Sequence, residues 1–218
     1  MNSTDTKKTL VQCDFDGTVT TEDVSFMLLD AFADGNWREI LEEYEQGKIS
    51  VGHFNREAFS MVSASKQELL DITHARVEIR EGFREFADMC GKEGIPLVIV
   101  SNGLDFYIED ILRRMGLGDT RVHAALTEFN NNGLRVQYIG PDGNTLEDNL
   151  KGAYIDVFLK DYDCVIYIGN GASDLVPSRK AHHVFATGEL RNRCQNSGVE
   201  YIPFTSFNDI IEKMNSFL

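Results

Sequence analysis

The chain has 218 residues, 42% of them apolar and 26% charged, which is enough for one well-buried core with a smaller satellite. Its 21 basic and 35 acidic side chains leave a net charge of -14, which repels phosphate backbones and anionic membranes. Nucleic acid and membrane are therefore excluded as partners, and no run of 18 apolar residues offers a membrane span. The four cysteines, at 13, 90, 164 and 194, are scattered without zinc spacing, and the start of the chain carries no signal-peptide pattern. A reduced, cytoplasmic setting is expected.

Short Val- and Ile-rich runs occur at residues 10–13, 95–100 (IPLVIV), 164–168 (CVIYI) and 184–186 (VFA), each followed by a small or turn residue. Such runs read as strands buried on both faces. Helical patterns separate them, at 80–90 (REGFREFADMC) and 105–115 (DFYIEDILRRM), with glycines as stops. This alternation predicts an α/β fold, a Rossmann-like doubly wound parallel sheet with helices on both faces. Residues 21–78 contain helical patches and no convincing strand, and read as a small helical cap inserted after the first strand. The expected division is a core of 1–20 and 79–218 and a cap of 21–78. Two alternating runs around Asn131-Asn132-Gly133 predict a β-hairpin, a candidate for part of the site's rim.

In a doubly wound sheet, ligands bind beyond the carboxyl ends of the strands. Four clusters fall there: Asp14-Phe15-Asp16-Gly17-Thr18, Ser101-Asn102-Gly103, Lys151, and Gly169-Asn170-Gly171-Ala172-Ser173-Asp174. The first is not a calcium loop, because Val19 stands where a glycine is needed and Ser25 where a glutamate is needed. A catalytic reading makes Asp14 a nucleophile toward phosphorus and Asp16 the proton donor to the leaving oxygen. A carboxylate attacking a phosphate dianion needs Mg²⁺ between them. Ser101 and the following N–H groups can grip phosphate oxygens, and Lys151 can neutralise the charge that spreads over them. Asn170 would offer an amide oxygen to the metal, and Asp174 would hold metal-bound water or orient Lys151.

These clusters, in this order, resemble the haloacid dehalogenase superfamily of phosphatases: Asp-x-Asp-x-Thr, a Ser or Thr after the second strand, a lysine, and an acidic loop. The insertion resembles the phosphoserine-phosphatase-like cap class. IREGFREF, VIVSNGLDFYI and VFATGELRNRCQNSGVEYIPFTSF look most like the 2-hydroxy-3-keto-5-methylthiopentenyl-1-phosphate phosphatase group of methionine salvage. The resemblance implies Asp14, Asp16 and Lys151 as catalytic residues and Thr18, Ser101, Asn102 and Gly103 as phosphate contacts. It implies Asp14, Asp16 through its backbone carbonyl, and Asn170 as Mg²⁺ ligands, with Asp174 behind them. Asp23 falls where cap-class relatives carry an acid facing substrate, and reads equally as a helix N-terminal carboxylate. Relatives place an aspartate where this chain has Asn170, so the site has one charge fewer for the metal.

The expected activity is Mg²⁺-dependent hydrolysis of a small phosphorylated metabolite by a monomer or homodimer. A non-catalytic phosphometabolite sensor is the rival, and phosphotransfer to an alcohol a third reading. Arg56 and His53 lie on a helical pattern of the cap, where Arg56 reads as part of a solvated helix face or as a contact to a substrate anion; His182-His183 read as structural and Trp37 as a cap anchor.

Overall fold

The computed structural model describes residues 7–130 and 133–216. Eight strands form one sheet in the order β5-β4-β3-β2-β1-β6-β7-β8. They are β1 (Thr9–Cys13), β2 (Leu97–Leu104), β3 (Arg121–Asn130), β4 (Gly133–Ile139), β5 (Thr145–Leu146), β6 (Cys164–Gly169), β7 (His183–Ala186) and β8 (Ile202–Pro203). The run from β3 to β8 is parallel, while β4 and β5 add on antiparallel at one edge. The fold is the expected α/β class. Val11, Ile99, Val165, Ile166 and Ile168 are almost fully buried, as strands covered on both faces require.

Chain order reverses about β1, with β2 on one side and β6 on the other. Right-handed crossovers then place helices of the two directions on opposite faces. Accordingly α5 (Phe83–Lys92) packs with α10 (Phe207–Met214), joined by the Phe83–Phe207 and Phe86–Phe207 ring pairs. On the other side α7 (Leu150–Asp161) packs with α8 (Leu175–Ser178), which meets α9 (Gly188–Ser197). The remaining core helix, α6 (Asp105–Arg114), lies against β3.

Between β1 and α5 the chain forms four helices: α1 (Val24–Phe32), α2 (Trp37–Glu45), α3 (Val51–Ser60) and α4 (Lys66–Arg76). Capping explains where two of them begin: Asp23 accepts from Phe26 N, and Ser65 and Glu68 form a reciprocal capping box. Phe26, Trp37, Tyr44 and Phe54 pack ring against ring, Tyr44 stacked on Phe54 and the others tilted or edge-on, and Trp37 so anchors α2 to α1 and α3. The Thr20↔Ile79 bridge closes the base of this segment. At its far side Gly52 N donates to Glu147 O, and Asn55 Nδ2 donates to Asn102 O at 3.1 Å. These contacts dock α3 over the carboxyl end of the sheet.

Three expectations change. Ser101-Asn102-Gly103 do not follow the second strand but lie inside β2, whose pairing jumps from Val100↔His123 to Leu104↔Ala125. Four residues on β2 then answer two on β3, so the triplet bulges while the backbone stays extended. The run at 95–100 starts pairing only at Leu97, after Pro96. Finally β3 does two jobs: Arg121, Val122 and His123 pair in parallel with β2 before Leu126 to Asn130 form the hairpin with β4. The turn residues Asn131 and Asn132 lie outside the described residues.

Candidate active site

Asp14 leaves the end of β1 with its N–H donated to Ile168 O of β6, at the sheet's switch point. Gly17 follows at φ +69, a left-handed turn that a side chain would strain, and a Cβ there would lie 2.2 Å from Asn170 Nδ2. The Asp-x-Asp-x-Thr turn is therefore pressed against the loop after β6. Arg80 braces it, donating from Nε to Thr18 O at 2.8 Å and from Nη2 to Gly17 O at 2.7 Å.

Lys151, in the first turn of α7, reaches back across β1 and is 4% exposed. Its ammonium lies 2.8 Å from Asp14 Oδ1, 2.6 Å from Asp174 Oδ1 and 3.1 Å from Ser173 Oγ. Asp174 is fully buried and saturated. Besides Lys151, its Oδ1 accepts from Tyr167 OH, and its Oδ2 accepts from the amides of Asn170 and Gly171. Asp174 thus fixes both the lysine and the loop that carries Asn170. Burial pushes the Asp14 carboxyl up to about 7, Asp174 adds to this, and the Lys151 ammonium opposes it. The two carboxylates in turn hold Lys151 charged despite its burial.

Asp16 lies beside this group, 8% exposed. Its Oδ2 accepts from Tyr107 OH at 2.5 Å, from Ser25 Oγ at 3.1 Å and from Ser25 N at 3.3 Å, whereas its buried Oδ1 has no partner. Burial holds this carboxyl well above the ordinary range, Asp23 and Asp14 raise it further, and the Tyr107 and Ser25 hydrogen bonds work against them. A carboxyl shifted in this direction holds its proton more tightly than an exposed one, which suits a proton donor.

The Thr18 hydroxyl is shared between Asp14 Oδ2 at 3.4 Å and Asn170 Oδ1 at 3.0 Å. Oxygens from two strand ends therefore converge on one point. A donor set of carboxylate and amide oxygens suits a hard divalent cation, and Asn170 supplies it without charge. Among the described residues no group of three His, Cys, Asp or Glu is arranged to hold a metal.

The structure brings Asp14, Asp16, Thr18, Lys151, Asn170 and Asp174 together. Ser101 is buried, and its Oγ accepts from Gly103 N at 3.1 Å, so that amide is turned onto the serine and leaves its hydroxyl hydrogen free. The Asn102 carbonyl accepts from Tyr138 OH and Asn55 Nδ2, serving the docking of α3. Asp23 is the N-cap of α1, and its charge also bears on Asp16. Arg56 makes a two-pronged ion pair with Glu147 on the surface, and His182 Nδ1 accepts from Val165 N. The Tyr107, Tyr167, Ser25 and Arg80 contacts were not anticipated. One sequence signal was available, a tyrosine inside the otherwise aliphatic CVIYI.

The haloacid dehalogenase-like hydrolase family matches residues 11–176. The chain belongs to that family. This hydrolase is 30% identical to the 2-hydroxy-3-keto-5-methylthiopentenyl-1-phosphate phosphatase of Brevibacillus brevis, with 94% of each chain covered. It is 28% identical to the enzyme of the same name from Geobacillus kaustophilus, with 96% of each covered. A substrate-bound phosphoserine phosphatase superposes with a TM-score of 0.70 at 18% identity, over 95% of this chain and 98% of that one. A phospho-aspartyl intermediate analogue of phosphoserine phosphatase gives the same score and identity. Like its relatives, this haloacid dehalogenase-like hydrolase is a phosphoric monoester hydrolase. Among the described residues no helix is long and apolar enough to cross a membrane.

Proposed function

We propose that the protein is a Mg²⁺-dependent phosphatase of a small cytoplasmic metabolite, working through an aspartyl-phosphate on Asp14. The observation that carries this reading is the buried Asp14–Lys151–Asp174 chain beside an acid, Asp16, whose Oδ1 has no partner. Asp14 attacks phosphorus, the bond from phosphorus to the leaving oxygen breaks, and Asp16 gives that oxygen its proton. Asp16 then takes a proton from water, the water oxygen attacks phosphorus, and the bond to Asp14 breaks to release phosphate. Lys151 offsets the charge on the phosphoryl oxygens, with Thr18, Ser101, Asn102 and Gly103 around the phosphate. Asp14, Asn170 and the backbone carbonyl of Asp16 would hold Mg²⁺, which would supply positive charge to offset that of the carboxylate and the phosphoryl oxygens.

Residues 1–20 and 79–218 serve as the core in this reading, and 21–78 as a cap that excludes water. The relatives' names point to a methionine-salvage phosphoester or a phosphoserine-like ester as substrate class. Asn170 favours one second reading, a phosphometabolite binder of little activity. A phosphomonoester panel with Mg²⁺ and with EDTA, on wild type and Asp14→Asn, separates the two. Turnover lost in Asp14→Asn is expected; no turnover of any ester by wild type overturns the proposal, as does an active Asp14→Asn protein.

A further inference from the structure

Tyr107 is fully buried in the first turn of α6, and its ring makes a T-shaped contact with Phe106. Its hydroxyl reaches Asp16 Oδ2 at 2.5 Å and Ser25 Oγ at 2.9 Å. The approach depends on the β2 bulge: a Cβ on Gly103 would lie 2.2 Å from that hydroxyl and 2.8 Å from Asp16 Oδ2. Gly103 is therefore the space through which a core helix touches the carboxyl of Asp16. From the other side, Ser25 supplies a second hydroxyl and an amide from α1.

We propose that Tyr107, assisted by Ser25, is a positioning residue that reserves Oδ1 of Asp16 for proton transfer to the leaving group. The inference rests on the phosphatase mechanism above. The phenol, the Ser25 hydroxyl and the Ser25 amide compete for the two lone pairs of Oδ2, the two hydroxyls also meeting each other, so the oxygen left for a transferable proton is the other one. That oxygen is Oδ1, which has no partner. Without the phenol the carboxyl can rotate or carry its proton on Oδ2, and the fraction poised to donate falls. Phosphate gripping, which uses other residues, is left intact.

Leaving-group dependence tests this, because p-nitrophenolate departs without a proton and phenolate needs more help. The Mg²⁺-loaded wild type, Tyr107→Phe and Ser25→Ala are compared by kcat/KM on phenyl phosphate and p-nitrophenyl phosphate. The ratio of kcat/KM covers steps up to departure of the alcohol, so later hydrolysis of the aspartyl-phosphate does not enter. For Tyr107→Phe, kcat/KM should fall about 10-fold or more on phenyl phosphate and less than about 3-fold on p-nitrophenyl phosphate. Ser25→Ala, which keeps its amide, should show a smaller loss of the same kind, and carries the test if Tyr107→Phe does not fold. Equal losses on both esters, or none on phenyl phosphate, overturn the positioning role. Wild type that turns over neither ester overturns the phosphatase reading instead.

Discussion

Asn170→Asp restores the charge that the site lacks, and its consequences should be two-sided. Asn170 Oδ1 and Asp14 Oδ2 lie 3.0 and 3.4 Å from the same Thr18 hydroxyl, so the two oxygens are at most about 6.4 Å apart. With Asp14 ionised, a carboxylate at 170 meets repulsion of about 2–3 kcal/mol at an effective dielectric constant near 20. In EDTA the variant should therefore melt roughly 4–10 °C below wild type. A divalent cation held by the two oxygens would reverse the sign of that interaction, and the same energy would tighten Mg²⁺ binding by roughly 30–150-fold. Melting in EDTA and along a Mg²⁺ series, with calorimetric titration of the metal, measures both effects without reference to turnover. Equal melting temperatures in EDTA, together with equal Mg²⁺ affinities, would refute the placement of Asn170 among the metal-holding oxygens.

Lys151→Met strands two carboxylates that are at most 5% exposed, and urea unfolding should show a loss of about 3–5 kcal/mol along with loss of turnover. A loss under about 1 kcal/mol would mean that the ammonium is not their partner in solution. Gly17→Ala should cost about 1–2 kcal/mol for the left-handed backbone, plus the displacement of Asn170, and a wild-type melting temperature would contradict the close packing of the two loops. His123 stacks on Tyr154 at 3.9 Å, and burial lowers its pKa from 6.5 to about 4. The unfolded chain then binds more protons between those values, so this contribution is complete above pH 6.5 and is lost as pH falls toward 4. Discounted for partial exposure, the loss is about 1–2 kcal/mol, and His123→Phe should flatten the acid limb of a stability–pH curve; identical slopes would exclude His123 as its source.

The strands β1, β6 and β7 could be read from the sequence because a strand buried on both faces needs an unbroken apolar run, and little else produces one so short. The same logic hides β5 and β8, two residues each, one of them ending in Pro203. It also misplaces Ser101-Asn102-Gly103, since small polar residues signal a turn unless a neighbouring strand keeps them extended, and only the β2–β3 register shows that it does. The carboxylates were legible because they follow an apolar strand at the sheet's ligand-binding end, and the lysine only through its place in order among the other clusters. Tyr107 was not: at the spacing of DFYIEDILRRM its ring is an ordinary core aromatic, and only tertiary packing shows that its hydroxyl ends on Asp16.

Charge balance then fixes an order of events. Asp14, Asp16, Asp174 and the nearby Asp23 are four carboxyl groups, and the ammonium that touches two of them is that of Lys151. The neighbouring guanidiniums are engaged elsewhere, Arg80 with the carbonyls of Gly17, Thr18 and Thr205 and Arg56 with Glu147. A phosphate dianion entering so buried a group meets net repulsion unless a cation is already there, because little water remains to screen it. Inorganic phosphate should therefore raise the melting temperature only when Mg²⁺ is present, and by more in Asn170→Asp than in wild type at equal Mg²⁺. A phosphate-induced rise in EDTA as large as that in Mg²⁺ would show that Lys151 and the amides suffice for the anion, and that the metal acts on the nucleophile alone.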